Sequence, residues 1–107
     1  MKLYGLKSCD SCRKAQKLLT VLGHNVTFVD VRVDGLSKAD LERFWAEFGD
    51  KLLNTRSTTW RGLSDAERCT PPLILLVDHP TLMKRPVIDC EGSLTLGWTK
   101  EVQSHFT

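Results

Sequence analysis

Apolar positions recur along the chain in two rhythms. Between Asp10 and Leu22, the residues Ala15, Leu18, Leu19 and Leu22 fall at i, i+3, i+4 and i+7, while Arg13, Lys14 and Lys17 take the opposite face, so the spacing predicts an amphipathic helix. Gly23 is a natural stop for it. Short β-type runs flank this helix at Lys2 to Gly5 and at Val26 to Val31, and a strand–helix–strand unit of this kind pairs its strands in parallel. A second helical stripe, Leu41, Phe44, Trp45 and Phe48, follows Ser37 as a cap and ends at Gly49. Residues 50–63 read as a loop with short helical pieces, and Ser64 to Arg68 as a further helical turn. The run Leu73 to Val77 after Pro71-Pro72 fits either a buried strand or a helix with proline in its first turn. Val87 to Asp89 and Ser93 to Gly97 predict a hairpin around Glu91-Gly92, and Thr99 caps a closing helix to Phe106. The order β-α-β, helical segment, β-β-α is that of an α/β thioredoxin-like fold with a mixed four-stranded sheet. Residues 1–107 then form a single domain with a helical insertion at about 36–80.

Composition changes this picture little. The 107 residues are 41% hydrophobic and 26% charged, values of an ordinary globular domain. Fifteen Lys+Arg against thirteen Asp+Glu leave a net charge of +2, well short of the basic stripe of a nucleic-acid binder. The longest apolar run, Leu73 to Val77, is far below the ~20 residues of a membrane span. The N-terminal Met1 to Leu6 lacks the apolar core of ~7–15 residues found in a secretory signal, so a cytoplasmic, reducing location is expected, and the modest charge and small size make a monomer the expectation.

The chemistry begins at Cys9-Asp10-Ser11-Cys12. A C-x-x-C that closes a first strand and opens a helix reads as a redox motif. There the unpaired amides and positive dipole end of the helix favour a thiolate, and Lys7 and Arg13 add positive charge. Cys9 is the candidate nucleophile, Cys12 the candidate resolving thiol, and Lys7, Ser8 and Ser11 the candidate substrate contacts beside them. Two alternatives stand next to this one. The pair could be half of a zinc site, although Cys69, Cys90, His24, His79 and His105 supply no second motif at ligand spacing, so no metal is expected. It could also be two inert, packed thiols, and Cys69 and Cys90, which belong to no paired motif, read as packing or surface residues. Late in the chain, Lys84-Arg85-Pro86-Val87 places a proline at a strand start, where an X-Pro bond is either cis or, more commonly, trans. In this fold Arg85 would lie beside Cys9 and stabilise its thiolate or a bound oxyanion, and Pro86 would offer an open backbone edge to an extended thiol substrate. The loop Leu52 to Arg61 carries Arg56 and Arg61 among Ser57, Thr58 and Thr59, a composition suited to an anion or a carboxylate of glutathione.

These pieces together resemble the arsenate reductase (ArsC)/Spx family. The likeness is carried by Tyr4-Gly5, Cys9-Asp10-Ser11-Cys12-Arg13-Lys14-Ala15, Asp30 with Asp34-Gly35-Leu36, Leu52 to Arg56, Thr58-Thr59-Trp60-Arg61, Lys84-Arg85-Pro86-Val87 and Leu96-Gly97-Trp98. It spans nearly the whole chain in order. It implies a helix at Leu73 to Val77 and a functional Arg85 before a cis Pro86. It implies too that Cys9 is the attacking cysteine, with glutathione and glutaredoxin resolving the adduct and arginines holding an oxyanion, Arg85 matching closely and Arg56 more loosely. Arsenate reductases carry a further arginine in the C-terminal hairpin, where this chain reads Ser93-Leu94-Thr95-Leu96-Gly97-Trp98. That departure argues against arsenate, while the loop Asn54 to Arg61 and the Leu96-Gly97-Trp98 ending resemble the small ArsC-like branch associated with glutathione-dependent thiol reduction. The resemblance therefore implies a reductase with glutathione as co-substrate, no tightly bound cofactor, and no nucleic-acid or membrane partner. The alternative is a Spx-like regulator that binds RNA polymerase with Cys9–Cys12 as its redox switch.

Overall fold

The computed structural model describes all residues from Met1 to Thr107. They group into two units, Met1–Asp34 with Arg85–Thr107, and Gly35–Lys84. No helix is long and apolar enough to cross a membrane.

The first unit contains the sheet. Its strands are β1 (Lys2–Gly5), β2 (Thr27–Asp30), β3 (Val87–Cys90) and β4 (Ser93–Leu96), in the order β2-β1-β3-β4. β1 runs parallel to β2, with Leu3 opposite Phe28 and Gly5 opposite Asp30, and antiparallel to β3, with Leu3 opposite Ile88 and Tyr4 opposite Val87. β3 and β4 form a hairpin whose two turn residues, Glu91 (φ 52°) and Gly92 (φ 86°), both have positive φ. That is the turn geometry that matches the twist of two adjacent strands. The sheet is therefore mixed, with antiparallel pairing on one side of β1 and parallel pairing on the other.

Helix α1 (Asp10–Val21) connects β1 to β2, and Cys12, Ala15 and Leu19 are its buried positions. The spacing i, i+3, i+7 keeps these three on one face. They pack with Leu3 and Ile88, all fully buried, and Met1, Val26, Phe28, Trp98 and Phe106 close around this core. Full burial of a residue such as Leu19 contributes roughly 1.5–3 kcal/mol. The helix ends where Gly23 adopts φ +92° and the amides of Gly23 and His24 reach back to the carbonyls of Thr20 and Leu19, each at 3.0 Å. A side chain would resist that left-handed conformation, so the glycine sets the exit. Helix α6 (Lys100–Ser104) is capped by the Thr99 hydroxyl, and Phe106 beyond it stacks on Trp98 at 6.1 Å.

The second unit is helical. α2 (Lys38–Phe48) starts at Ser37, whose hydroxyl accepts from the Asp40 amide at 3.1 Å; it buries Leu41 and Phe44 and stops at Gly49 (φ +56°). A 3-10 turn (Gly49–Leu52) follows. The short helices α3 (Thr58–Arg61) and α4 (Asp65–Arg68) are capped by Ser57 and Ser64, the latter in a reciprocal capping box with Glu67. Amides of Asn54 and Lys84 donate to the carbonyls of Leu82 and Leu52 at 2.7 and 2.8 Å, tying the middle of this unit to its exit.

The ambiguous run Leu73 to Val77 is helix α5 (Pro72–Asp78), with Pro72 in the first turn. Its burial explains why. Leu75 and Leu76 are buried, whereas Ile74 and Val77 are 51% and 55% exposed. A central strand would need both faces covered. Pro71-Pro72 also pre-sets the backbone for a helical start.

Candidate active site

β1 ends at Gly5, and the chain turns through Leu6, Lys7 and Ser8, closed by the Cys9 amide donating to the Leu6 carbonyl at 3.0 Å. Cys9 is the N-cap of α1, with extended backbone (φ −85°, ψ 121°), and its carbonyl accepts the first helical bond from Arg13 at 3.0 Å. A residue in this position has its side chain beside the unpaired amides of the first turn. Cys12 is three residues on, one turn along the same helix.

The two thiols are driven apart in acidity. Partial burial pushes the Cys9 thiol up, but the backbone and side chain of Cys12 and the Arg85 guanidinium together outweigh it, and the thiol lies below its ordinary value. The Cys9 side chain makes no full cap hydrogen bond to the helix. Burial pushes the Cys12 thiol up to about 12, the Cys9 sulfur adds to that rise, and the backbone of Leu6 and the charge of Arg85 offset only part of it. Cys9 is half-buried and Cys12 fully buried. The result is a reachable, anion-favouring sulfur backed by a neutral thiol that can donate to it.

Space for the second sulfur is made by Gly5. A Cβ at that position would overlap Cys12 Sγ and come within 3.1 Å of Cys12 Cβ. Gly5 gave no signal of this role in the sequence, because its requirement comes from a helix packed across the strand and not from a turn.

Arg85 reaches the site from the start of the late segment. It is half-buried, its bond to Pro86 is cis, and its guanidinium faces Cys9. Pro86 is itself fully buried, and its carbonyl accepts from Gly97 at 2.8 Å, so Arg85 is the member of the pair with a side chain at the site. Lys7, Ser8 and Ser11 are exposed around the same loop and helix start. Arg13 forms an exposed ion pair with Asp10, which spends its charge locally.

The first unit thus brings together Cys9, Cys12 and Arg85, while the buried Pro86 has its carbonyl engaged by Gly97. Arg56 and Arg61 belong to the second unit, both exposed; the Arg56 amide donates to Asn54 Oδ1 at 3.2 Å and Arg61 ends α3. Cys69 is exposed and Cys90 half-buried, and all four cysteines are free thiols. No group of three or more His, Cys, Asp or Glu side chains has an arrangement that could hold a metal ion, so the zinc alternative finds no third ligand for Cys9 and Cys12.

The sequence reading assigned no role to Asp30. It is the only buried charged residue, 7% exposed, at the end of β2 directly opposite Gly5. Burial raises its carboxyl, but the amides of Lys7, Arg32 and Val33 and the Lys7 charge overcome this and hold it below the usual carboxylate range. The signal available in the sequence was an aspartate ending a β-branched run just before an Asp-Gly turn, a common pattern for turn chemistry alone.

Known proteins show the same architecture. Residues 4–106 match the ArsC family. An uncharacterised protein of Haemophilus influenzae is 41% identical over 112 residues, which cover 97% of this chain and 96% of that protein. The global transcriptional regulator Spx of Bacillus subtilis is 31% identical over 107 residues, covering 92% of this chain and 80% of its own length. Among solved structures, a YffB protein superposes with a TM-score of 0.89 at 29% identity, over 98% of this chain and 96% of that one.

Proposed function

Because the chain belongs to the ArsC family, we propose that it is a thiol-dependent reductase in which Cys9 is the nucleophile and glutathione the co-substrate. The observation that carries this reading is the split in acidity between a half-buried Cys9, lowered by Cys12 and Arg85, and a fully buried Cys12 raised to about 12. A pair poised in this way can perform two exchanges in sequence.

In the first exchange the Cys9 thiolate attacks one sulfur of a disulfide, forming a Cys9 mixed disulfide and releasing the other half as a thiolate. Arg85 holds the thiolate before attack. In the second exchange Cys12 attacks the Cys9 sulfur, passes its proton to the departing thiolate, and closes a Cys9–Cys12 disulfide. Mixed-disulfide formation removes the Cys9 charge that helps to hold the Cys12 proton, so the first step eases the second. Two molecules of glutathione then reduce the pair and leave as oxidised glutathione. Lys7, Ser8 and Ser11, exposed on the loop and first helical turn around Cys9, are the proposed substrate contacts.

The test couples reduction of a small glutathione mixed disulfide to NADPH consumption through glutathione reductase. Cys9→Ser should abolish turnover, and activity at the wild-type level in that variant would overturn the proposal. Arsenate is examined in the same format, with glutaredoxin as the coupling thiol. The C-terminal hairpin, Ser93 to Trp98, offers no arginine for that oxyanion, so arsenate should be a poor substrate. A second reading, favoured by the match to the Spx regulator over 92% of the chain, is a redox-switched regulator that docks on RNA polymerase. It expects a stable complex in pull-downs that depends on the state of Cys9–Cys12, and no complex in either state would remove it.

A further inference from the structure

Asp30 faces more than its own turn. One carboxylate oxygen, Oδ1, accepts from the amides of Arg32 at 2.9 Å and Val33 at 3.2 Å, closing the turn that leaves β2. The other, Oδ2, accepts from the Lys7 amide at 3.3 Å, in the loop between β1 and Cys9. The backbone on both sides of this contact is fixed. The Val31 amide donates to the Gly5 carbonyl at 2.9 Å, the Asp34 amide donates to the Asp30 carbonyl at 2.8 Å, and the Asp30 amide donates to Asp34 Oδ2 at 3.2 Å. The charged groups facing Asp30 are Lys7 and Asp34, both with exposed side chains.

A buried carboxylate is costly unless donors surround it. The β2 turn alone needs only one acceptor oxygen, which asparagine or serine would supply. A second, anionic oxygen aimed at a second donor has its use in the Lys7 loop. Its charge works against a thiolate nearby, so its value there must be geometric.

We propose that Asp30 is a positioning residue for the Cys9 thiolate, tying the Leu6–Cys9 turn to the end of β2 through the Lys7 amide so that the sulfur stays beside Cys12 and Arg85. This inference rests on the reading of Cys9 as an activated nucleophile.

The sign of one measurement separates this role from the alternatives. Asp30→Asn keeps an acceptor for Arg32 and Val33 but turns an NH2 group toward the Lys7 amide, donor against donor. The pH dependence of Cys9 alkylation is followed by peptide mass spectrometry, which resolves Cys9 from the other three cysteines. Loss of positioning raises the Cys9 midpoint, here by about half a pH unit, or about threefold less thiolate below both midpoints. Loss of a negative charge alone would lower the midpoint. A purely structural role would lower the melting temperature and leave the midpoint in place. A raised midpoint in Asp30→Asn, with none in Asp34→Asn, supports the proposal; an unchanged or lowered midpoint in Asp30→Asn overturns it.

Should Asp30→Asn fail to fold, the wild-type protein supplies the test by NMR. The Lys7 amide should titrate in acid together with those of Arg32 and Val33, at one midpoint below the usual carboxylate range, and a Lys7 amide that ignores this titration overturns the contact. The two readings fail differently. An ordinary Cys9 midpoint in the wild-type chain overturns the reductase mechanism and this inference with it, whereas a depressed wild-type midpoint unchanged in Asp30→Asn overturns this inference alone.

Discussion

Replacing Arg85 by alanine removes the one cation that faces the Cys9 sulfur. A hydrogen bond to a charged group contributes about 1.5–3 kcal/mol. Cys9 is only half-buried, so solvent screens part of this and about 1.4 kcal/mol is a fair share. That corresponds to a rise of about one pH unit in the Cys9 midpoint. The rate of iodoacetamide alkylation does not simply follow the thiolate fraction, because a more basic thiolate is intrinsically more nucleophilic, by about threefold per pH unit at a Brønsted slope of about 0.4–0.5. Below both midpoints the thiolate population falls about tenfold while each thiolate reacts about threefold faster, so the variant is about three- to fourfold slower than wild type. Above both midpoints each protein is fully ionised, and the variant is about threefold faster. The two pH–rate curves therefore cross. Arg85→Lys keeps the charge and loses the planar fork, and its curve should lie between them. Curves that run parallel, or a midpoint that does not rise in Arg85→Ala, would refute the assignment of Arg85 as the partner of the thiolate.

Two further outcomes follow from the same geometry. Gly5→Ala drives a methyl into Cys12 Sγ and should cost about 1–3 kcal/mol, seen as a lowered melting temperature, and an unchanged melt would show that α1 can retreat from the strand. Cys12 governs alkaline stability: its folded value of about 12 lies above the 9.0 of the free thiol, so its contribution is complete below pH 9.0 and is lost as pH rises toward 12. Urea unfolding should show wild type weakening over that window and Cys12→Ala weakening less, and equal slopes would refute the burial of a neutral thiol.

Much of this arrangement was legible in the sequence because the relevant signals are local. The stripe on α1 and the capping residues Ser37 and Thr99 each act within one or two turns, and the hairpin pair Glu91-Gly92 within a single bend. C-x-x-C is local too, since its chemistry depends on being first in a helix. The run Leu73 to Val77 resisted because composition alone does not say how many faces will be covered, and only the exposure of Ile74 and Val77 decides it. The link between Arg85 and Cys9 comes from the antiparallel pairing of Tyr4 with Val87, a tertiary fact that rested on the fold assignment and that the family resemblance strengthened. Asp30 and Gly5 were missed for a related reason. Each matters through what the neighbouring strand or helix brings against it.

The sheet order has a consequence for the newborn chain. β1 leaves the ribosome early, but its antiparallel neighbour β3 is made only after the whole helical insertion, along with Arg85. Domains assemble from the N-terminus as they emerge. Until then the Cys9 sulfur has Cys12 beside it but lacks its guanidinium, and its acidity is only partly raised. Its full reactivity waits for the strand that carries Arg85 to join the sheet.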